Sequence, residues 1–152
     1  TTTNVIPPFV EMEGTLRAMT EATRDKCAAQ IKKLATSVAE AHGAKAEVEI
    51  RYNYPATIND ERATSFLEEV GKEVLPSGFM GRLAAPTMGG EDLAYFLQRV
   101  PGSYFFLGMD DGRSGGYPSL HHPGYDFNDQ ALPNGMRMFV HAALGYAQFS
   151  SR

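Results

Sequence analysis

Between Phe9 and Asn53 the apolar residues change period twice, from two to about 3.6 and back to two. Val10, Met12, Gly14, Leu16 and Ala18 alternate with Glu11, Glu13 and Arg17, which predicts a half-buried strand. Thr20 then offers an N-cap, with Glu21 favourable in the first turn. Cys27, Ile31, Leu34, Val38 and Ala41 follow at spacings of three and four, one apolar helical stripe, and Gly43 stops the helix just after His42. Ala46, Val48, Ile50 and Tyr52 alternate with Glu47, Glu49, Arg51 and Asn53, a second half-exposed strand. Strand, helix and strand of this size make half of a ferredoxin-like sandwich, with helices on one side of a small sheet. The other half would have to precede Thr1, so the chain is expected to begin inside a domain.

The remainder is punctuated differently. Tyr54-Pro55-Ala56-Thr57-Ile58-Asn59 reads as a linker, because proline breaks a ladder and biases its neighbour to extended geometry. Asn59 or Asp60 can cap a helix with Phe66, Leu67, Val70 and Val74 on its apolar face, ending before Pro76. Leu93, Phe96 and Leu97 mark a short helix closed by Pro101-Gly102, and Tyr104 to Met109 has the length of a buried strand. A loop rich in glycine and aspartate runs from Asp110 to Tyr117, and a last helix is expected from about Leu132 to Phe149. Its apolar positions are Met136, Phe139, Val140, Ala143, Leu144 and Ala147.

With 43% hydrophobic and 11% aromatic residues, the chain has the composition of a soluble globular protein with a real core. Its net charge of -4 argues against nucleic acid and acidic membrane surfaces as partners. No apolar run approaches the roughly 18 residues of a membrane span. Cys27 is the one cysteine, which excludes an internal disulfide and a thiolate-rich zinc knuckle, and fits a cytoplasmic protein. A serine-hydrolase elbow and a nucleotide phosphate loop are both absent.

Three stretches carry residues suited to chemistry. His121-His122 stands in a loop next to Asp126; imidazoles with a nearby carboxylate suit a metal, and equally they suit an exposed turn. Gly89-Gly90 before Glu91-Asp92 could receive a carboxylate on free backbone N–H groups, or simply open a helix whose first turn is acidic. Arg17 offers a bidentate fork for a carboxylate, against the commoner solvated arginine. Asn4, before Val5-Ile6-Pro7, is similarly open.

In order along the chain, Asn4-Val5-Ile6-Pro7, Gly14-Thr15-Leu16-Arg17, Tyr54 to Asn59, Met88-Gly89-Gly90-Glu91-Asp92, Pro101-Gly102 with Phe105 to Gly108, and Leu120-His121 with Pro123 and Tyr125 to Phe127 resemble the dinuclear-metal amidohydrolases of the aminoacylase and carboxypeptidase group, in their hippurate hydrolase and auxin-conjugate hydrolase branch. The resemblance implies an α/β (α+β) fold. Residues 1–56 would be the C-terminal half of a ferredoxin-like lid and dimerisation domain. Residues 57–152 would be the C-terminal segment of a zinc-peptidase-like α/β catalytic domain. It implies hydrolysis of N-acyl amino acids with two divalent ions, zinc, manganese or similar, in a homodimer joined through the lid. His121 matches a metal ligand, Asn4 and Arg17 match lid positions facing substrate, and Gly89 and Gly90 would line the pocket. The general base and the other ligands would lie in a missing N-terminal part of the same protein, so this chain alone is expected to be inactive. The competing expectation is a non-catalytic dimerisation or interaction module.

Overall fold

The computed structural model describes residues 3–150, with Gln148 and Ser150 described in backbone only. Among the described residues there are four α-helices: α1 (Glu21–Ala41), α2 (Glu61–Val74), α3 (Leu93–Leu97) and α4 (Leu132–Ser150), the last led in by a 3-10 turn over Asp129–Ala131. Two compact units are present. One comprises the stretch through Ala56 together with Met88–Gly90; the other comprises Thr57–Thr87 and the chain from Glu91 onward.

Local signals set the helix ends. The Thr20 hydroxyl accepts the Thr23 N–H at 3.2 Å, and Asp60 Oδ1 accepts the Ala63 N–H at 2.8 Å. Each such cap stabilises its helix by about 1 kcal/mol. At the far end of α1, Gly43 has φ +70 and its N–H reaches the Glu40 carbonyl, while Ala44 N–H reaches that of Ala39. That is the left-handed stop that glycine adopts without a Cβ penalty. Asn59, the other cap candidate, is used elsewhere. Its amide donates to the Tyr104 carbonyl and accepts the Tyr104 N–H, both at 2.8 Å, fixing the start of the 104–109 run to the entrance of α2.

The expected sheet is absent. Among the described residues there is no strand, so neither half of a ferredoxin-like lid nor a sheet-bearing catalytic segment is formed. The α/β reading is therefore wrong for this chain, and the reason is physical. Alternation specifies which side of a segment is apolar, but a strand also needs a neighbour to take its N–H and carbonyl groups. The 46–50 segment keeps its alternation, with Ala46, Val48 and Ile50 half-buried and Glu47 and Glu49 exposed. Its ion pairs, Lys45–Glu47 and Arg51–Glu49, join residues two apart, as an extended backbone requires. No ladder partner lies beside it among the described residues. The Phe9–Ala18 run is exposed up to Ala18, and the 104–109 run is half-buried rather than buried, with Phe106 exposed.

The core is also smaller than the composition suggests. Among the described residues the buried apolar ones are Ala28, Ala63, Val70, Ala94, Ala131 and Met138. The accessible surface is 12749 Å². A folded monomer of this mass exposes about 7,600 Å², and two separate bodies of these sizes about 9,000 Å². The best-packed region is in the second unit, where α2 meets α4. Phe66 and Phe149 stack there with centroids 4.8 Å apart, and a Cβ on Gly145 would stand 3.2 Å from the Phe66 ring.

Along the 3-10 turn and α4 the covered positions are Ala131, Asn134, Gly135, Met138, Ala142, Gly145 and Phe149, all buried or half-buried. The larger residues expected to form the apolar face of α4, Met136, Phe139, Val140 and Leu144, are exposed, Leu144 at 75%, although the Phe139 ring still meets that of Phe105 at 5.6 Å. The same inversion occurs on α1. Ala28, Ala35 and Ala39 are covered, while Ile31, Leu34 and Val38 are exposed.

Candidate functional site

The loop bearing the histidines is fastened at several points. At its base, Asn128 Nδ2 donates to the Met109 carbonyl at 3.2 Å. Arg113 grips Asp111 through two nitrogens, which holds the Asp111 carboxyl down at about 2, and its guanidinium lies 4.5 Å from the Tyr117 ring. Tyr117 donates its hydroxyl to the Asp126 carbonyl, and the rings of Tyr117, Tyr125 and Phe127 meet edge to face in succession.

At the tip, the His122 N–H donates to the Ser119 carbonyl at 3.0 Å, closing a turn through Leu120 and His121. His121 has φ +71, the one left-handed non-glycine residue among those described. Histidine tolerates that region better than bulky or β-branched residues do. The two imidazoles differ in what they do. His122 Nδ1 accepts the Gly124 N–H at 3.0 Å and so serves the turn itself. His121 is exposed and makes no hydrogen bond to a described residue.

A catalytic zinc normally takes three protein ligands. No group of three or more histidine, cysteine, aspartate or glutamate residues among those described could hold a metal ion. One imidazole is one donor, so these residues do not by themselves fit a dinuclear centre.

Arg17 and the glycine pair come together in the first unit. Arg17 Nη1 donates to the Met88 carbonyl at 2.6 Å, across 71 residues of sequence. The same nitrogen is 3.8 Å from where a Cβ on Gly90 would be, and Tyr54 Cδ2 is 3.2 Å from that point. Arg24, Arg51, Arg82 and Arg113 each hold a carboxylate. Arg17 faces none among the described residues. Asn4 sits in an exposed turn and makes no hydrogen bond to a described residue.

The helix-terminus argument for the glycines loses force, because α3 spans only five residues and starts at Leu93, beyond them. Glu91 has a structural neighbour instead: burial, and then the Glu91 carboxylate beside it, push the Tyr104 phenol up. Tyr54 carries no motif that marks it for a role. Its signal was an aromatic residue next to proline in a stretch that reads as linker.

Residues 5–145 match the model of peptidase family M20/M25/M40. An IAA-amino acid hydrolase ILR1-like 2 of Arabidopsis thaliana is 34% identical over 147 residues, covering 94% of this chain and 33% of that protein. Thermostable carboxypeptidase 1 of Saccharolobus solfataricus is 33% identical over 150 residues, covering 98% of this chain and 36% of its own length. An N-acetylcysteine deacetylase of Bacillus subtilis is 28% identical over 144 residues, covering 95% and 36%. The chain belongs to peptidase family M20/M25/M40, a family of hydrolases. It spans about a third of the length of the curated relatives it matches. No helix among the described residues is long and apolar enough to cross a membrane.

Proposed function

We propose that this chain, taken alone, is a non-catalytic interaction module, and that it forms the assembly and recognition portion of a metal-dependent amidohydrolase acting on N-acyl amino acids. The outward stripe of α1 carries the first half of this reading. Cys27, Ile31, Leu34, Val38 and Ala41 are spaced four, three, four and three residues apart, the seam by which two helices pair, and Ile31, Leu34 and Val38 are exposed. A second copy of the chain is the partner, in a homodimer through residues 1–56. Residues 57–152 belong to the catalytic side, where the outward face of α4 is covered by the rest of the whole protein.

Support for the second half comes from relatives whose names include an IAA-amino acid hydrolase and an N-acetylcysteine deacetylase. In the whole protein, two divalent ions, zinc, manganese or similar, would be held with His121 as one donor. Asn4, Arg17, Gly89 and Gly90 would face a hippurate-like substrate. A cytoplasmic location completes the reading, and the free, half-buried Cys27 is compatible with it.

Sedimentation equilibrium on the metal-free chain tests the module. It should be a dimer, and Leu34→Asp should make it a monomer with its helix content kept. A wild-type chain that stays monomeric at high concentration overturns this reading. Full-length protein assayed with zinc or manganese against a panel of N-acyl amino acids tests the enzyme, and absence of turnover across the panel overturns it.

A further inference from the structure

Tyr54 stands on the one face of Gly90 from which any other residue would displace it. Its Cδ2 is 3.2 Å from the vacant Cβ position, closer than most real Cβ contacts, and the Arg17 guanidinium approaches the same point to 3.8 Å. All three residues belong to one compact unit, so their juxtaposition is internal to it. Tyr54 is 53% exposed, and Arg17 and Gly90 are exposed as well. Arg17 gives one N–H to the Met88 carbonyl, out of the five its side chain carries. That bond ties the guanidinium to the Met88–Gly90 turn, and its remaining donors face no carboxylate of the described residues. The N–H groups of Gly89 and Gly90 make no hydrogen bond to a described residue.

We infer that Tyr54 is a binding residue of this corner: its ring forms the wall of a carboxylate site whose charge comes from Arg17, and it selects organic acids that carry a flat, apolar group beside the carboxylate. The inference rests on the proposed role of Arg17 toward substrate and adds the residue that would recognise the acyl part. An aromatic face next to a guanidinium favours a planar group by stacking, while a carboxylate takes the fork. A small inorganic anion would use the fork alone and gain nothing from the ring.

The test uses the isotope-labelled chain itself and follows the Gly89 and Gly90 amides by NMR during titration with N-benzoylglycine, with acetate as the acid that lacks a ring. N-benzoylglycine should bind more tightly than acetate. Tyr54→Ala should weaken N-benzoylglycine about tenfold, as loss of a stacked aromatic does, and leave acetate unchanged. Tyr54→Phe should restore the wild-type value. Arg17→Gln should abolish both. If Arg17→Gln abolishes binding while Tyr54→Ala changes nothing, the role of Tyr54 is overturned and that of Arg17 stands. If neither acid shifts the two amides in the wild-type chain, both are overturned.

Discussion

Helices α1 and α2 have equally legible apolar stripes, and the fold treats them in opposite ways. On α2, Phe66, Leu67, Val70 and Val74 are all buried or half-buried, and Phe66 meets Phe149 of α4. On α1 the large residues Ile31, Leu34 and Val38 are exposed, and Ala28, Ala35 and Ala39 are covered instead. A stripe is thus a statement about demand. It says that a helix has a side worth covering, and it is silent on whether the cover is a neighbour in the same chain or another body.

Substitutions can break or sharpen this contrast. The largest effect should come from Val70→Asp, which places a charge at a residue that is only 7% exposed. An unpaired buried charge costs about 3 kcal/mol or more. Thermal melting by circular dichroism should show the loss, whereas Leu34→Asp on α1, compared with wild type at a dilution where both are monomers, should melt nearly as wild type does. If the two variants melt alike, the contrast is wrong.

Thr20→Ala and Asp60→Ala should each remove about 1 kcal/mol of helix stability, since each deletes a cap at the same position of its helix. Amide exchange at Thr23 and Ala63 reads the two losses separately. Equal losses would show that both helices depend on their ends, however different their faces.

The smallest effect concerns the histidine loop. Arg113 depresses the Asp111 carboxyl to about 2, chiefly by its side-chain hydrogen bonds. A group with a lowered folded value stabilises the loop above its ordinary range, and that contribution is lost as pH falls toward 2. Carboxyl chemical shifts should place the midpoint near that value, and Arg113→Ala should raise it toward the ordinary aspartate range, the N–H of residue 113 keeping its bond to the carboxylate. An unchanged midpoint would remove Arg113 as the cause.

What the sequence made legible follows the range of each signal. Thr20, Gly43, Asp60 and Pro76 act on residues within a turn of themselves, and helices begin and end at them. The alternating runs were equally clear as patterns, but a ladder partner is a distant property and pattern alone does not supply one. The approach of Arg17 to Met88 joins residues 71 apart, and no spacing rule reaches that far. Asn59 has the chemistry of a cap, a local role, and it serves a distant one by holding Tyr104. His121 is conspicuous in the sequence for its imidazole. Its left-handed backbone was invisible, because the turn that imposes it depends on the Ser119 carbonyl meeting the His122 N–H.

That backbone gives position 121 two separable requirements. Asparagine there would keep the bend and delete the ring, glycine would keep the bend with more slack, and valine would forfeit both at once. A comparison of the three would therefore tell the contribution of a nitrogen donor from that of the chain's path, a distinction that replacement by alanine alone would blur.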